Sequence, residues 1–94
     1  MNSKAYAVIF INESDYVDNT IVKVKLAEDY DTAKYLANEF KHECLDILAK
    51  DGYYSKSDYT IDEGPDVNDN IRIYIYDFYY KYDFTIRIEK SYIL

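Results

Sequence analysis

One segment limits the architecture of this chain more than any other. In DTAKYLANEFKHECLDILAKDG (31–52), Ala33, Leu36, Ala37, Phe40, Cys44, Ile47 and Leu48 recur at spacings of three and four. On a helix that spacing draws a single apolar stripe, with polar residues around the rest. Asp31 suits the N-cap, and Glu28 and Asp29 favour the positive end of the helix dipole. Gly52 stands where a left-handed C′ residue belongs, just past Lys50. A lone helix with one stripe covers one face of one sheet, so the rest of the chain has to supply that sheet.

It reads as strands. KAYAVIFI (4–11) is apolar on both faces: Ala5, Ala7, Ile9 and Ile11 point one way, and Tyr6, Val8 and Phe10 the other. TIVKVKLA (20–27) alternates, which predicts Val22, Val24 and Leu26 inward and Lys23 and Lys25 outward. The polar stretch 12–19 joins the two into a hairpin. After the helix, 53–69 is irregular, with room for a short strand at Tyr59–Ile61. A second hairpin follows, with strands over 70–78 and 82–90. Its turn lacks an Asn-Gly or Gly-X pair, so a four-residue loop or a bulge is expected.

The element order predicts an α+β fold, ββαββ, in a single domain spanning 1–94. It would be a four-stranded antiparallel sheet with one amphipathic helix packed on one face. The first and third strands are apolar on both faces, whereas the second and fourth carry charges. Charges suit edge strands, so the expected strand order is 2-1-3-4. With two glycines and one proline in 94 residues, long regular elements should dominate.

Charge narrows the function classes. Eighteen acids against eleven bases leave the chain at −7, and sequence-independent nucleic-acid binding runs on phosphate neutralisation by Lys and Arg. Direct nucleic-acid binding is therefore not expected; a basic surface on another protein is the natural partner. Cys44 is the only cysteine, so no internal disulfide forms, which fits a cytoplasmic location. No apolar run approaches the roughly 20 residues of a membrane helix, and the first residues read as a strand, not a signal peptide.

The second hairpin, NIRIYIYDFYYKYDFTIRIEK (70–90), holds seven of the seventeen aromatic residues. Its isoleucines, Ile71, Ile73, Ile75, Ile86 and Ile88, together with Phe84, should meet the helix. The opposite face of its first strand then shows Arg72, Tyr74, Tyr76, Phe78 and Tyr80. A tyrosine face tolerates water, because the ring packs while the hydroxyl stays hydrated. It also suits an interface, where Tyr and Arg are enriched. The sequence leaves both readings open.

The acids cluster at 13–18 and at 58–69, where Asp58, Asp62, Glu63, Asp66 and Asp69 occur with no Lys or Arg between Ser57 and Ile71. They are solvated loops or a patch for a basic groove. Within this run, Asp66, Asn68 and Asn70 alternate as in a calcium loop. The sixth position is Ile71 where Gly is needed, and the twelfth is Asp77, not Glu, so no metal or other cofactor is expected. Nor is an enzyme. His42 and Cys44 sit about 200° apart on the helix and cannot form a dyad. His42 falls one turn before Asp46 as a surface pair, and Cys44 belongs to the apolar stripe.

In its length, its acid clusters, its lack of catalytic groups and its aromatic hairpin, the whole chain resembles the small acidic inhibitor proteins of phages and mobile elements, anti-CRISPR proteins among them. The resemblance implies inhibition by occlusion: acidic loops and tyrosine anchors occupying a nucleic-acid-handling protein complex. Its implied contact residues are Asp58, Asp62, Glu63, Asp66, Asp69, Arg72, Tyr74, Tyr76 and Tyr80. The alternative is a self-associating structural or accessory protein, a homodimer joined through the tyrosine-rich sheet face.

Overall fold

The computed structural model describes residues 3–63 and 70–93, with side chains from 6 to 63 and from 70 to 90. In chain order its elements are β1 (Ser3–Asn12), β2 (Ile21–Ala27), α1 (Tyr30–Lys50), β3 (Thr60–Glu63), β4 (Asn70–Tyr76) and β5 (Tyr80–Ile93). The expected α+β arrangement is present: one helix and one open antiparallel sheet. The sheet, however, has five strands, in the order β2-β1-β5-β4-β3.

The departure from four strands ordered 2-1-3-4 is a matter of parity. The short strand for which 59–61 has room, left out of the expected four, is a full member, Thr60–Glu63, paired with β4. It adds one reversal of direction between α1 and β4. Now β4 runs parallel to β1 and β5 antiparallel to it, so β5 takes the place beside β1. The 14-residue β5 is thus central and pairs with β1 over ten positions, although it carries Asp83, Arg87 and Glu89. Its charges do not need an edge, because they point to the face away from the helix.

The helix starts earlier than its apolar stripe suggests. Asp29, not Asp31, is the N-cap: its Oδ1 accepts the Thr32 N–H at 2.7 Å. That bond holds the Asp29 carboxyl below its ordinary range. At the other end Gly52 has φ +95°, the left-handed conformation that stops the helix after Asp51.

The core lies between α1 and one face of the sheet. Ala33, Ala37, Phe40, Cys44 and Leu48 from the helix meet Val8, Phe10, Ile73, Tyr82, Phe84, Ile86 and Ile88 from the strands. Phe10 stacks on Phe40 and Phe84, with centroids 5.3 and 6.0 Å apart. Burying each such side chain contributes about 2 kcal/mol, and Phe40→Ala would cost about 4 kcal/mol with its cavity. The isoleucines of the second hairpin face the helix as expected.

β2 is reversed relative to its expected orientation. Val22, Val24 and Leu26 are 56%, 54% and 63% exposed on the helix-free face. Lys23 and Lys25 are on the helix side, with their ammonium groups 5.7 Å from the Phe10 ring and 4.8 Å from the Phe40 ring. A helix about 10 Å wide cannot roof five strands at about 4.8 Å spacing, so the helix-side positions of the β2 edge fall at its flank. A lysine fits there, with its stem on the aromatic rings and its ammonium in water. The apolar residues of β2 pair instead with the outer row of β1: Val22 opposite Ile11, Val24 opposite Ile9 and Leu26 opposite Ala7.

Candidate functional site at one end of the sheet

Three chain reversals meet where β1 ends, β5 begins and α1 stops. The 12–19 connection folds onto the start of β5. The Glu13 N–H donates to Asp83 O at 2.9 Å and the Asp15 N–H to Tyr80 O at 3.1 Å. Two buried polar residues brace it: Asn12 accepts the Ser14 N–H at 3.0 Å, and Ser14 Oγ accepts the Asp83 N–H at 2.8 Å. The helix end is tied in by Tyr82, whose hydroxyl donates to Asp51. Burial first, and then this bond to a carboxylate, push the Tyr82 phenol up. Tyr16 and Tyr53 pack against the Tyr82 ring, at 5.5 and 5.7 Å. Tyr53 in turn accepts a hydrogen bond from Lys81 at 2.9 Å.

The turn between β4 and β5 projects from this base. It is a three-residue connection, Asp77–Tyr79, with an irregularity at Ile75/Tyr76, so the expected bulge is there but the four-residue loop is not. Phe78, expected on the outer face of a longer strand, sits in the turn with φ 64° and is 94% exposed. For a bulky residue this left-handed backbone costs about 1 kcal/mol. Tyr76, Tyr79 and Tyr80 are exposed beside it along the chain, and Tyr16 and Tyr54 are exposed in the connections at the same end. The same end exposes Glu13, Asp15, Asp18, Asp51, Asp58 and Asp77, against Lys50, Lys56 and Lys81.

The sequence-predicted contact residues divide into three groups. Arg72, Tyr74, Tyr76 and Tyr80 do gather on the helix-free face. Arg72 lies 4.8 and 4.7 Å from the Tyr74 and Tyr80 rings, and Tyr76 lies 4.8 Å from Tyr80. Arg72 also makes a bidentate pair with Asp83, both contacts 2.9 Å, which holds its guanidinium firmly charged.

The acids of 58–63 do not form one patch. Asp58 accepts the Ser55 N–H at 3.1 Å at the helix end. Asp62 faces Arg72 across the β3–β4 ladder, and Glu63 bonds Lys41 at 3.3 Å. Asp66 and Asp69 lie outside the described residues, as does most of the calcium-loop resemblance. Among the described residues, no three His, Cys, Asp or Glu side chains are grouped to hold a metal.

Sequence reasoning missed Phe78 and Tyr79 as a projecting tip, and the exposure of Tyr16 and Tyr54 in the connections at the same end. The shortage of turn-forming residues at 77–79 was the available signal, since a turn built from Asp-Phe-Tyr has to force a non-glycine residue into an unfavourable conformation. An open groove of about 690 Å³ also lies between α1 and β3, floored by Leu45, Tyr59 and Ile61. His42 is exposed and Cys44 fully buried, where desolvation pushes the thiol up to about 12. No helix among the described residues is long and apolar enough to cross a membrane.

Comparison with models of known protein families, with curated proteins and with solved structures returned no significant match in any of the three.

Proposed function

We propose that this chain is a non-catalytic binding protein that docks its aromatic, acidic end on a basic protein surface. The partner fitting that chemistry is a complex that handles nucleic acid, whose groove the protein would occupy in place of its ligand. This is the mode of action implied by the resemblance to anti-CRISPR proteins. The observation that carries the reading is Phe78: a large apolar ring, 94% exposed, on a backbone with φ 64°. At that exposure the ring buries almost nothing among the described residues, and strain of this kind concentrates at functional sites. Exposed tyrosines around a central anchor are the residue types that dominate interface energetics. The flanking acids would steer association with a basic surface and repel free nucleic acid.

The test is capture of partners from nuclease-treated lysate of the native host with the intact chain as bait. The expected result is a stoichiometric nucleic-acid-binding complex that added nucleic acid displaces. Phe78→Asn and the pair Asp15→Lys with Asp18→Lys should each weaken capture at least about 10-fold. Capture that is indifferent to these changes and to added nucleic acid would refute the reading.

A further inference from the structure

We infer that the protein forms a symmetric dimer by packing the helix-free face of its sheet against the same face of a second copy, with Val22, Val24, Leu26, Ile9 and Ile11 as its aliphatic block. The aliphatic block lies on β1 and β2, apart from the Phe78 turn, although Tyr76 and Tyr80 border both surfaces; the inference does not rest on the function proposed for the aromatic end.

Three features single out a second copy. The first is the apolar block itself. Val22, Val24 and Leu26 are each more than half exposed, beside half-buried Ile9 and Ile11. A soluble chain would ordinarily turn such an alternating strand the other way, and contiguous aliphatic surface on a sheet marks an interaction site.

The second feature is charge. Two copies of a −7 chain repel wherever acids meet acids. On the helix-free face the described charges are Arg72 and Arg87 against Asp62, Asp83 and Glu89, two minus three, a balance of only −1. Most of these are already paired within the chain: Arg72 with Asp83, and Arg87 with Glu89 at 2.6 Å. Two copies can therefore approach on this face with little repulsion, while an unlike basic partner would find no free acid cluster among its described residues.

The third feature is area. Five strands at about 4.8 Å spacing and about seven residues long span roughly 550 Å², or about 1,100 Å² over two copies. That clears the roughly 1,000 Å² expected of a biological interface. A two-fold axis running across the strands lays each strand on its counterpart, the aliphatic block of β1 and β2 at one side and the internally paired charges of β5 and β4 beside it. The competing arrangement joins β2 edges into one continuous sheet. Lys23 and Lys25 oppose it, because edge pairing would bring the four lysines of two β2 strands together.

The experiment is sedimentation analysis of the full chain over a dilution series reaching on the order of 100 μM, with Val24→Lys, Leu26→Lys and Val24→Thr. The inference expects a dimer whose Kd rises at least about 100-fold in either lysine variant and about 10-fold in the threonine variant, since each change counts twice across the axis. Val24→Thr keeps the β-branched shape, so a weaker dimer with an unchanged circular dichroism spectrum separates association from folding. A wild-type chain that stays monomeric throughout overturns the inference. So does a dimer indifferent to both lysine variants, and slowed hydrogen exchange at the outward amides of β2 would then identify edge pairing. Phe78→Asn should leave the dimer intact while weakening partner capture, so the two surfaces fail independently.

Discussion

The ammonium of Lys25 lies 4.8 Å from the centroid of the Phe40 ring, so an edge-strand lysine closes the flank of the hydrophobic core. This contact explains why the apolar row of β2 faces away from the helix. Lys23 covers Phe10 in the same way two residues earlier, and reaches Glu43 at 3.7 Å. Both positions look like ordinary surface charges in the sequence. Truncation should therefore cost more than loss of a surface charge. Lys25→Ala should lower the unfolding free energy by about 1 kcal/mol, whereas Lys25→Met, which keeps the stem, should cost less than half of that. Urea titration of both variants checks the ordering. Equal losses would mean that the stem contributes nothing and that the ammonium over the ring carries the whole effect.

Tyr82 and Cys44 make the fold sensitive to alkali. The Tyr82 phenol is raised above 10.0, and the Cys44 thiol is raised from 9.0 to about 12. Both are neutral acids favoured by burial. Their contributions are whole below the ordinary values and are lost as pH rises through the raised ones. Stability should accordingly hold from neutral pH to about pH 9 and fall beyond it. Tyr82→Phe should cost about 1 kcal/mol at neutral pH, through the lost bond to Asp51. It should also make the decline above about pH 10 shallower. Denaturation curves at stepped pH show both effects, and an unchanged alkaline slope in the variant would rule out Tyr82 as a source.

Phe78 predicts opposite changes in stability and binding. Asparagine tolerates the left-handed backbone that strains phenylalanine. Because the ring is 94% exposed, removing it sacrifices almost no burial. Phe78→Asn should raise stability by about 0.5 kcal/mol while weakening partner capture. Thermal melting measures the first quantity. A destabilised variant would mean that the ring packs on the turn after all.

Several local features were determined by the sequence alone. The helix follows from its 3.6-residue stripe and the Gly52 stop, because those signals act within one or two turns. The division of β4 into Ile71, Ile73 and Ile75 on one face and Arg72, Tyr74 and Tyr76 on the other follows from strict alternation. The gathering of Arg72, Tyr74 and Tyr76 was legible for the same reason, whereas Tyr80 joins them from β5 only through the irregularity at Ile75/Tyr76. Tertiary structure decided the rest. Four residues at Thr60–Glu63 form a strand whose own sequence allows it but does not show that it pairs into the sheet, yet its presence reverses the direction of all that follows and brings β5, not β4, beside β1. The facing of β2 was equally undecidable from its own residues. Alternation says that Val22, Val24 and Leu26 share a side; only the position of a narrow helix over a wide sheet decides whether that side is the core.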